Sequence, residues 1–370
     1  MRTSIRPTVA EVDLGVIRRN FDRISALVAP SAVWAVVKAD AYGHGAVSVA
    51  RALSDRCAAL AVSLVEEGLE LRSAGIRAPI VVLGAYYDHC HAQVIEDGLT
   101  PVIYDPLDLE LFARAAEGRS ENVDVHVKID TGMSRLGIDP SLLPEILDRS
   151  RALPGIRIAG LCTHFATADG PSGTATRAAL ERFRACVAVA AERGLVSLTT
   201  HAANSAAAVR FPETRLDAVR PGLALYGATA SLEVPARDLE PALRLSTRLM
   251  SVRRVPAGTS VSYGARWLAP RPSLIGTLPV GYADGYPRHV ESAEVLVRGR
   301  RAPVVGAVCM DMTMVDLTDV AGACVGDAVT LIGRDGTERI GVDDLARWAG
   351  TINYEILCGI SKRVPRIYKD

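Results

Sequence analysis

Eight short apolar runs, separated by helical patterns, constrain this fold more than any other feature of the chain. They read VWAVVKA (33–39), CAALAVS (57–63), PIVVLG (79–84), TPVIY (100–104), VDVHVKID (123–130), IRIAGLCTHF (156–165), LTTHAAN (198–204) and AVRPGLALYG (218–227). Most are near-continuous rather than alternating, the pattern of strands covered on both faces. Between them lie helical stretches such as VSVARALSD (47–55), EEGLELRSAG (66–75) and ATRAALERFRACVAVAAERG (175–194). Gly75 and Gly194 stand where helices commonly end. Eight strand-plus-helix units predict an α/β fold, a TIM-like (β/α)8 barrel. A doubly wound open sheet would need fewer units and a glycine fingerprint after its first strand, and neither is present.

After about residue 236 the texture changes. LRLSTRLMSVRRV, SLIGTLPVGYA, AEVLVRGRRAPVVGAVCMDMTMVDLT and DAVTLIGRDG are strands broken by Gly, Pro and Asp turns, with little helix besides VDDLARWAG (342–350). The expected domains are a barrel over 12–236 and a mainly antiparallel β domain over 237–370. The segment RPTVAEVDL (6–14) reads as a further strand, so that about residues 1–11 join the β domain.

The bulk properties narrow the function. Lys and Arg total 42 against 42 for Asp and Glu, and no charged block stands out, so neither nucleic acid nor an anionic membrane is an expected partner. No apolar run approaches a membrane span, and the N-terminal stretch has no apolar signal core. Seven scattered cysteines without a CxxC pair argue against a zinc site and a disulfide framework. A cytoplasmic protein without a metal is expected.

A barrel carries its chemistry at the C-terminal ends of its strands. Those ends offer Lys38, Lys128 with Asp130, His164, His201 with Asn204, and Arg220, while loops add Tyr42, Arg135 and Ser205. Each has a plain alternative: a snorkelling lysine, a structural histidine, a surface ion pair. As a set they form a cationic mouth without a carboxylate pair or a nucleophile elbow. Lys38 follows so apolar a run that its amine is expected to be desolvated, more easily deprotonated and nucleophilic toward a carbonyl. A phosphate-bearing carbonyl cofactor, pyridoxal phosphate, matches this profile.

The stretch AVVKADAYGHG (35–45) closely resembles the cofactor-attachment motif of bacterial alanine racemases. VHVKIDTGMSRLGI, THFATAD, HAANSAA, VRPGLALYG, VSYGARW, GYADGYPR, CMDMTMVD and INYEILCGISKRVPRIY resemble that family's further blocks, in the family's order across essentially the whole chain. The resemblance implies interconversion of L- and D-alanine by two-base proton transfer at Cα, supplying D-alanine for peptidoglycan, in a homodimer whose active sites are shared between chains. It implies pyridoxal 5′-phosphate bound to Lys38 as an internal aldimine. Tyr42, Ser205, Gly222, Leu223 and Tyr354 would hold the phosphate, and His164 and Asn204 would line the cofactor pocket. Lys38 would be the base for the D-isomer and Tyr263, from the partner's β domain, the base for the L-isomer. Arg135, Met310, Asp311 and Tyr282 would meet the substrate.

A tyrosine is a poor base at its free pKa of about 10, so cations among Arg135, Arg220 and His164 are expected to favour its phenolate. The resemblance implies that Arg220 would face the pyridine nitrogen; an arginine, already protonated, cannot share a proton with the ring as a carboxylate does, so the nitrogen stays unprotonated and the ring a weak electron sink, which favours racemisation over transamination. Lys128, seven residues before Arg135, is a possible carbamylated lysine. Ala307 and Met312 depart from the arginine and glutamine common in the family. Racemisation of serine or lysine, and decarboxylation, are the nearest alternative activities on such an architecture.

Overall fold

The structure, a computed structural model, describes residues 5–84, 86–87, 89–229 and 238–370. The expected boundary at 236/237, and the first four residues of the N-terminal strand, lie outside them. Two compact units divide the chain: one holds Ile17–Ala41 and Ala46–Leu239, the other the N-terminal segment to Val16, Tyr42–Gly45 and Glu240–Asp370.

The first unit is built on a closed barrel of eight parallel strands: Ala32–Val36, Ala59–Val62, Ile80–Val82, Leu99–Ile103, Val123–Lys128, Ile156–Cys162, Thr199–His201 and Ala218–Val219. The last closes on the first through Ala32 with Ala218 and Val33 with Val219. Each strand matches one of the apolar runs read from the sequence, two of them, Ala32–Val36 and Leu99–Ile103, beginning one residue earlier. The runs are near-continuous because a barrel strand packs both inward and against outer helices. Trp34, Ala59, Val81, Val102, Cys162 and Ala218, from six different strands, meet in one buried cluster. The barrel fold is therefore as expected, with helices such as Ala46–Leu53, Val65–Ser73 and Thr174–Glu192 between strands.

One local feature was not visible in the sequence. The first strand ends at Val36, and Lys38 opens a helical turn, Lys38–Gly43, of the wrong hand. Ala39, Asp40, Ala41 and Tyr42 all have φ between +52° and +54°. Left-handed backbone costs an L-residue about 1–2 kcal/mol, so four in succession need strong local bracing. Part of it comes from Asp40, whose Oδ1 accepts the Ala46 N–H at 2.7 Å.

The second unit is mainly antiparallel β. Its largest sheet runs Arg300–Pro303, Glu294–Val297, Ala328–Asp335, Leu243–Arg248, Val9–Asp13, Arg366–Lys369, with Glu338–Ile340 paired to Ala328–Asp335. Val9–Asp13 is antiparallel to Leu243–Arg248 and parallel to Arg366–Lys369. Ser251–Val255, Ser273–Leu278 and Thr313–Asp316 make a three-stranded sheet. Within this unit Gly43 sits against Asn353–Gly359, where a Cβ would fall 2.2 Å from the Leu357 carbonyl oxygen. Its φ of +78° also suits glycine. Gly43→Ala meets both penalties, and a loss of roughly 2–3 kcal/mol is expected. The chemical-denaturation midpoint measures it; an unchanged midpoint would show that the helix moves aside at no cost.

Candidate active site

Four barrel strands and the loops after them bring five cationic or basic side chains together. Lys38, Lys128, Arg135, His164 and Arg220 line one cavity of about 280 Å³, with Ser63, Leu64, Tyr87, Cys162 and Thr163 on its walls. Among the described residues no carboxylate lines it. Such a cavity favours an anionic ligand, since the walls supply the compensating charge.

Lys128 ends the Val123–Lys128 strand and is buried. Desolvation, reinforced by the Arg135 and Arg220 charges, holds its ammonium below the ordinary lysine value. The loop that carries Arg135 is shaped by Asp130, whose Oδ1 accepts the N–H groups of Gly132 at 2.8 Å, Met133 at 2.9 Å and Ser134 at 3.2 Å. It returns to the strand through Ile138 N–H donating to the Lys128 carbonyl at 2.8 Å. Thus Lys128 and Arg135 are two ends of one closed loop.

His164 is driven well below its usual pKa, first by burial and then by Arg220, Lys128, Arg135 and Lys38. The imidazole is neutral at physiological pH. It therefore cannot serve as one of the cations expected to favour a phenolate, which leaves the arginines for that part.

Arg220 is buried, and its acceptors are all neutral. Nη2 donates to the Thr163 carbonyl at 2.7 Å and the Ala202 carbonyl at 3.1 Å, and Nη1 to His201 Nδ1 at 2.5 Å. His201 Nε2 lies 3.0 Å from His126 Nδ1. A guanidinium can only donate, so His201 Nδ1 must be unprotonated and its proton sits on Nε2, directed at His126. Trp34 packs on both rings, at 4.3 Å from His201 and 5.5 Å from His126. His126 was missed in the sequence, where VHVK reads as ordinary strand alternation. Its signal was the two-residue step to Lys128, which puts both on the inner face.

Ser205 and Gly222 also meet. The Ser205 Oγ accepts the N–H groups of Gly222 at 2.9 Å and Ala224 at 3.2 Å, with Leu223 between them. With both lone pairs engaged, its hydroxyl proton points away from these donors. Asn204 instead caps the helix Ser205–Arg210, its Oδ1 accepting the Ala207 N–H at 3.0 Å.

The β unit holds the remaining expected residues. Tyr42 and Tyr354 face each other with ring centroids 5.9 Å apart. Tyr263 is 74% exposed on a strained turn: Ser262 has φ +66°, and its Oγ donates to the Ala307 carbonyl at 2.6 Å. Tyr282 N–H donates to the Cys309 carbonyl at 3.1 Å and Ala283 N–H to the Met310 carbonyl at 3.0 Å. Gly281 permits this approach, since a Cβ there would stand 2.3 Å from the Cys309 oxygen. Arg363 spans the buried Asp284 and Asp311, reaching the latter at 2.7 Å. Tyr263, Tyr282, Met310 and Asp311 are therefore carried by a single backbone-bonded framework.

The comparisons with known proteins agree over the whole chain. The model of the alanine racemase N-terminal domain matches residues 12–230, and that of the C-terminal domain matches 242–368. The chain belongs to the alanine racemase family. The alanine racemase of Halothermothrix orenii is 42% identical over 99% of this chain and 97% of its own length. Among solved structures, alanine racemase from Streptomyces lavendulae superposes with a TM-score of 0.95 at 36% identity, covering 100% of this chain and 98% of that one. The Bacillus anthracis enzyme, solved with bound L-Ala-P, superposes at 0.93 with 37% identity, covering 100% of this chain and 96% of that one. The family's reaction is the interconversion of L- and D-alanine with pyridoxal phosphate, and this chain is an isomerase of that kind, acting on a small-molecule amino acid.

The buried histidines generate a pH dependence. Desolvation lowers His126 from 6.5 to about 4, and His201 also falls. Between those values the unfolded chain binds a proton that the folded chain refuses, so stability falls as pH drops through this window. The His126 share approaches about 3 kcal/mol at its acidic end. Melting temperatures between pH 7 and pH 4.5 should decline, and His126→Asn should flatten the decline; an equal slope in the variant would contradict the assignment.

Proposed function

We propose that residues 12–236 form the cofactor-binding barrel domain and 237–370, with the strand of about residues 1–11, the β domain of a homodimer. In this reading the β domain of each chain completes the active site in the barrel of the other. The observation that carries it is the pairing of a cationic barrel cavity containing Lys38 with a tyrosine, Tyr263, exposed on the β unit.

Pyridoxal phosphate fits the residues present. Lys38 offers an amine to its aldehyde, the Ser205 hydroxyl and the Leu223 N–H offer donors to its phosphate, with Gly222 bonded to Ser205 beside them, and Tyr42 and Tyr354 complete the phosphate set. His164 and Asn204 belong to the pocket, with Asn204 acting through the helix it caps. When bound, the cofactor withdraws the electron pair left at the substrate Cα. Arg220, held by His201 and two carbonyls, would be the residue toward the ring nitrogen. A guanidinium there would leave that nitrogen unprotonated and restrain electron withdrawal, favouring return of the proton to Cα.

Lys38 Nζ takes the Cα proton of D-alanine, and Tyr263 of the partner subunit delivers one to the opposite face, giving L-alanine. The reverse reaction exchanges the two roles. Arg135, Tyr282, Met310 and Asp311 meet the substrate and its approach. Lys128 reacts with carbon dioxide, its neutral amine losing one proton as the N–C bond forms; the resulting carbamate turns a cation beside Arg135 into an anion. The low Lys128 pKa supports this step, because only the neutral amine reacts.

The enzyme works in the cytoplasm, without membrane or nucleic-acid partners, and its D-alanine serves peptidoglycan. The balanced charge and seven free thiols support that setting. No helix among the described residues is long and apolar enough to cross a membrane.

Tyr263→Phe tests the two-base assignment. In deuterium oxide the variant should still exchange the Cα proton of D-alanine through Lys38. It should neither exchange L-alanine nor invert either isomer above roughly a hundredth of the normal rate. Undiminished inversion would remove Tyr263 from the reaction. Lys128 is tested separately with 13C-labelled bicarbonate: a carbamate resonance is expected that disappears in Lys128→Ala, and its absence in the unaltered enzyme would end that part of the reading.

A further inference from the structure

We propose that Glu67 is a positioning residue for Lys38, clamping the left-handed turn on which the lysine stands. This rests on the reading of Lys38 as the cofactor-bearing base. Glu67 lies in the first turn of the helix Val65–Ser73. Its Oε2 accepts the N–H groups of Ser63 at 2.7 Å and Leu64 at 3.0 Å, which is what an acidic residue at this position of a helix ordinarily does. Capping leaves the other oxygen unexplained. Oε1 accepts the N–H of Ala39 at 2.6 Å, across 28 residues of sequence.

That bond falls where bracing is most needed. Ala39 is the first of the four left-handed non-glycine residues and directly follows Lys38. The backbone there would relax to a right-handed or extended form if the N–H found no acceptor, and Lys38 would move with it. Glu67 also joins two walls of the cavity, because Ser63 and Leu64 line it together with Lys38. Neighbouring Glu66 and Glu70 are exposed. One carboxylate, with charge-assisted bonds on both oxygens, thus fixes the loops after the first and second barrel strands relative to each other.

Glu67→Gln is the discriminating change. It preserves size, but an amide has one acceptor oxygen, so its NH2 must face either Ala39 N–H or the Ser63–Leu64 pair. In the holoenzyme, hydrogen exchange at Ala39 should accelerate roughly tenfold or more. L- and D-alanine are mirror images with an equilibrium constant of one, so kcat/KM must fall equally in both directions, by roughly ten- to a hundredfold.

The base that has been displaced is read from isotope effects instead. The Cα-deuterium effect should rise for D-alanine, whose proton Lys38 removes, and fall toward one for L-alanine. Unchanged exchange at Ala39 overturns the clamp, and so do isotope effects that stay at their wild-type values or shift together. Should Glu67→Gln fail to fold, Glu67→Asp keeps the charge while withdrawing it by one methylene, and the same two measurements decide. Borohydride reduction and peptide mapping of the unaltered holoenzyme test the underlying reading separately. Label on a residue other than Lys38 would overturn that reading, while exchange at Ala39 would still decide whether Glu67 holds the turn.

Discussion

A buried guanidinium with no carboxylate partner among the described residues sets the terms for the barrel's interior. Arg220 is satisfied by two backbone carbonyls and one imidazole nitrogen, none of which cancels its charge. Burial of an uncompensated cation is expensive, and burial accordingly pulls Arg220 below the usual arginine value. The cost is spread through a chain of oriented dipoles, from Arg220 to His201 to His126, with Trp34 packed on both rings. It also propagates outward. Burial first, and the Arg220 charge in addition, keeps His164 neutral and lowers the basicity of Lys128. A cavity wall so charged is at rest only with an anion in it, and the phosphate and carboxylate groups of cofactor and substrate are anions.

The β unit solves a different problem, presentation of side chains rather than storage of charge. Tyr263 stands on a turn whose preceding serine is left-handed and pinned to the Ala307 carbonyl. Backbone bonds join the Tyr282–Ala283 turn to the Cys309 and Met310 carbonyls, and Arg363 ties Asp311 to Asp284. Ala307 and Met312 contribute through backbone carbonyls, Ala307 to Ser262 and Met312 to the Cys309 N–H at 2.8 Å. Their side chains can thus vary while the framework that carries Tyr263 and Asp311 keeps its bonds.

Much of this was legible in the residue pattern. Eight near-continuous apolar runs identified eight barrel strands because burial on both faces leaves a composition that solvent-facing strands cannot have. The strand-end rule then found Lys38, Lys128, His164, His201 and Arg220, four of which line the cavity. What escaped were features determined by long-range partners. The hand of the turn at Ala39–Tyr42 is not a matter of local propensity, since alanine and tyrosine have no preference for it; distant groups impose it. His126 looked like an alternating strand residue because nothing nearby in sequence reveals His201. Neutral His164 followed first from its burial and then from four surrounding cations, both of which arise only in the folded barrel.

The sheet that joins the two ends of the chain governs the order of events during synthesis. Val9–Asp13 leaves the ribosome almost first, yet its neighbours are Leu243–Arg248 and Arg366–Lys369. At roughly 5–20 residues per second, that strand waits on the order of ten seconds or more for its first partner and longer for its second. The barrel strands, each paired with its successor in sequence, can close during the interval. A nascent chain therefore carries an unpaired strand edge while its barrel strands are already available to one another, and only synthesis through Arg366–Lys369 supplies the strand that covers it. Rare codons between the last barrel strand, Ala218–Val219, and residue 243 would lengthen that exposure after every barrel strand has been made.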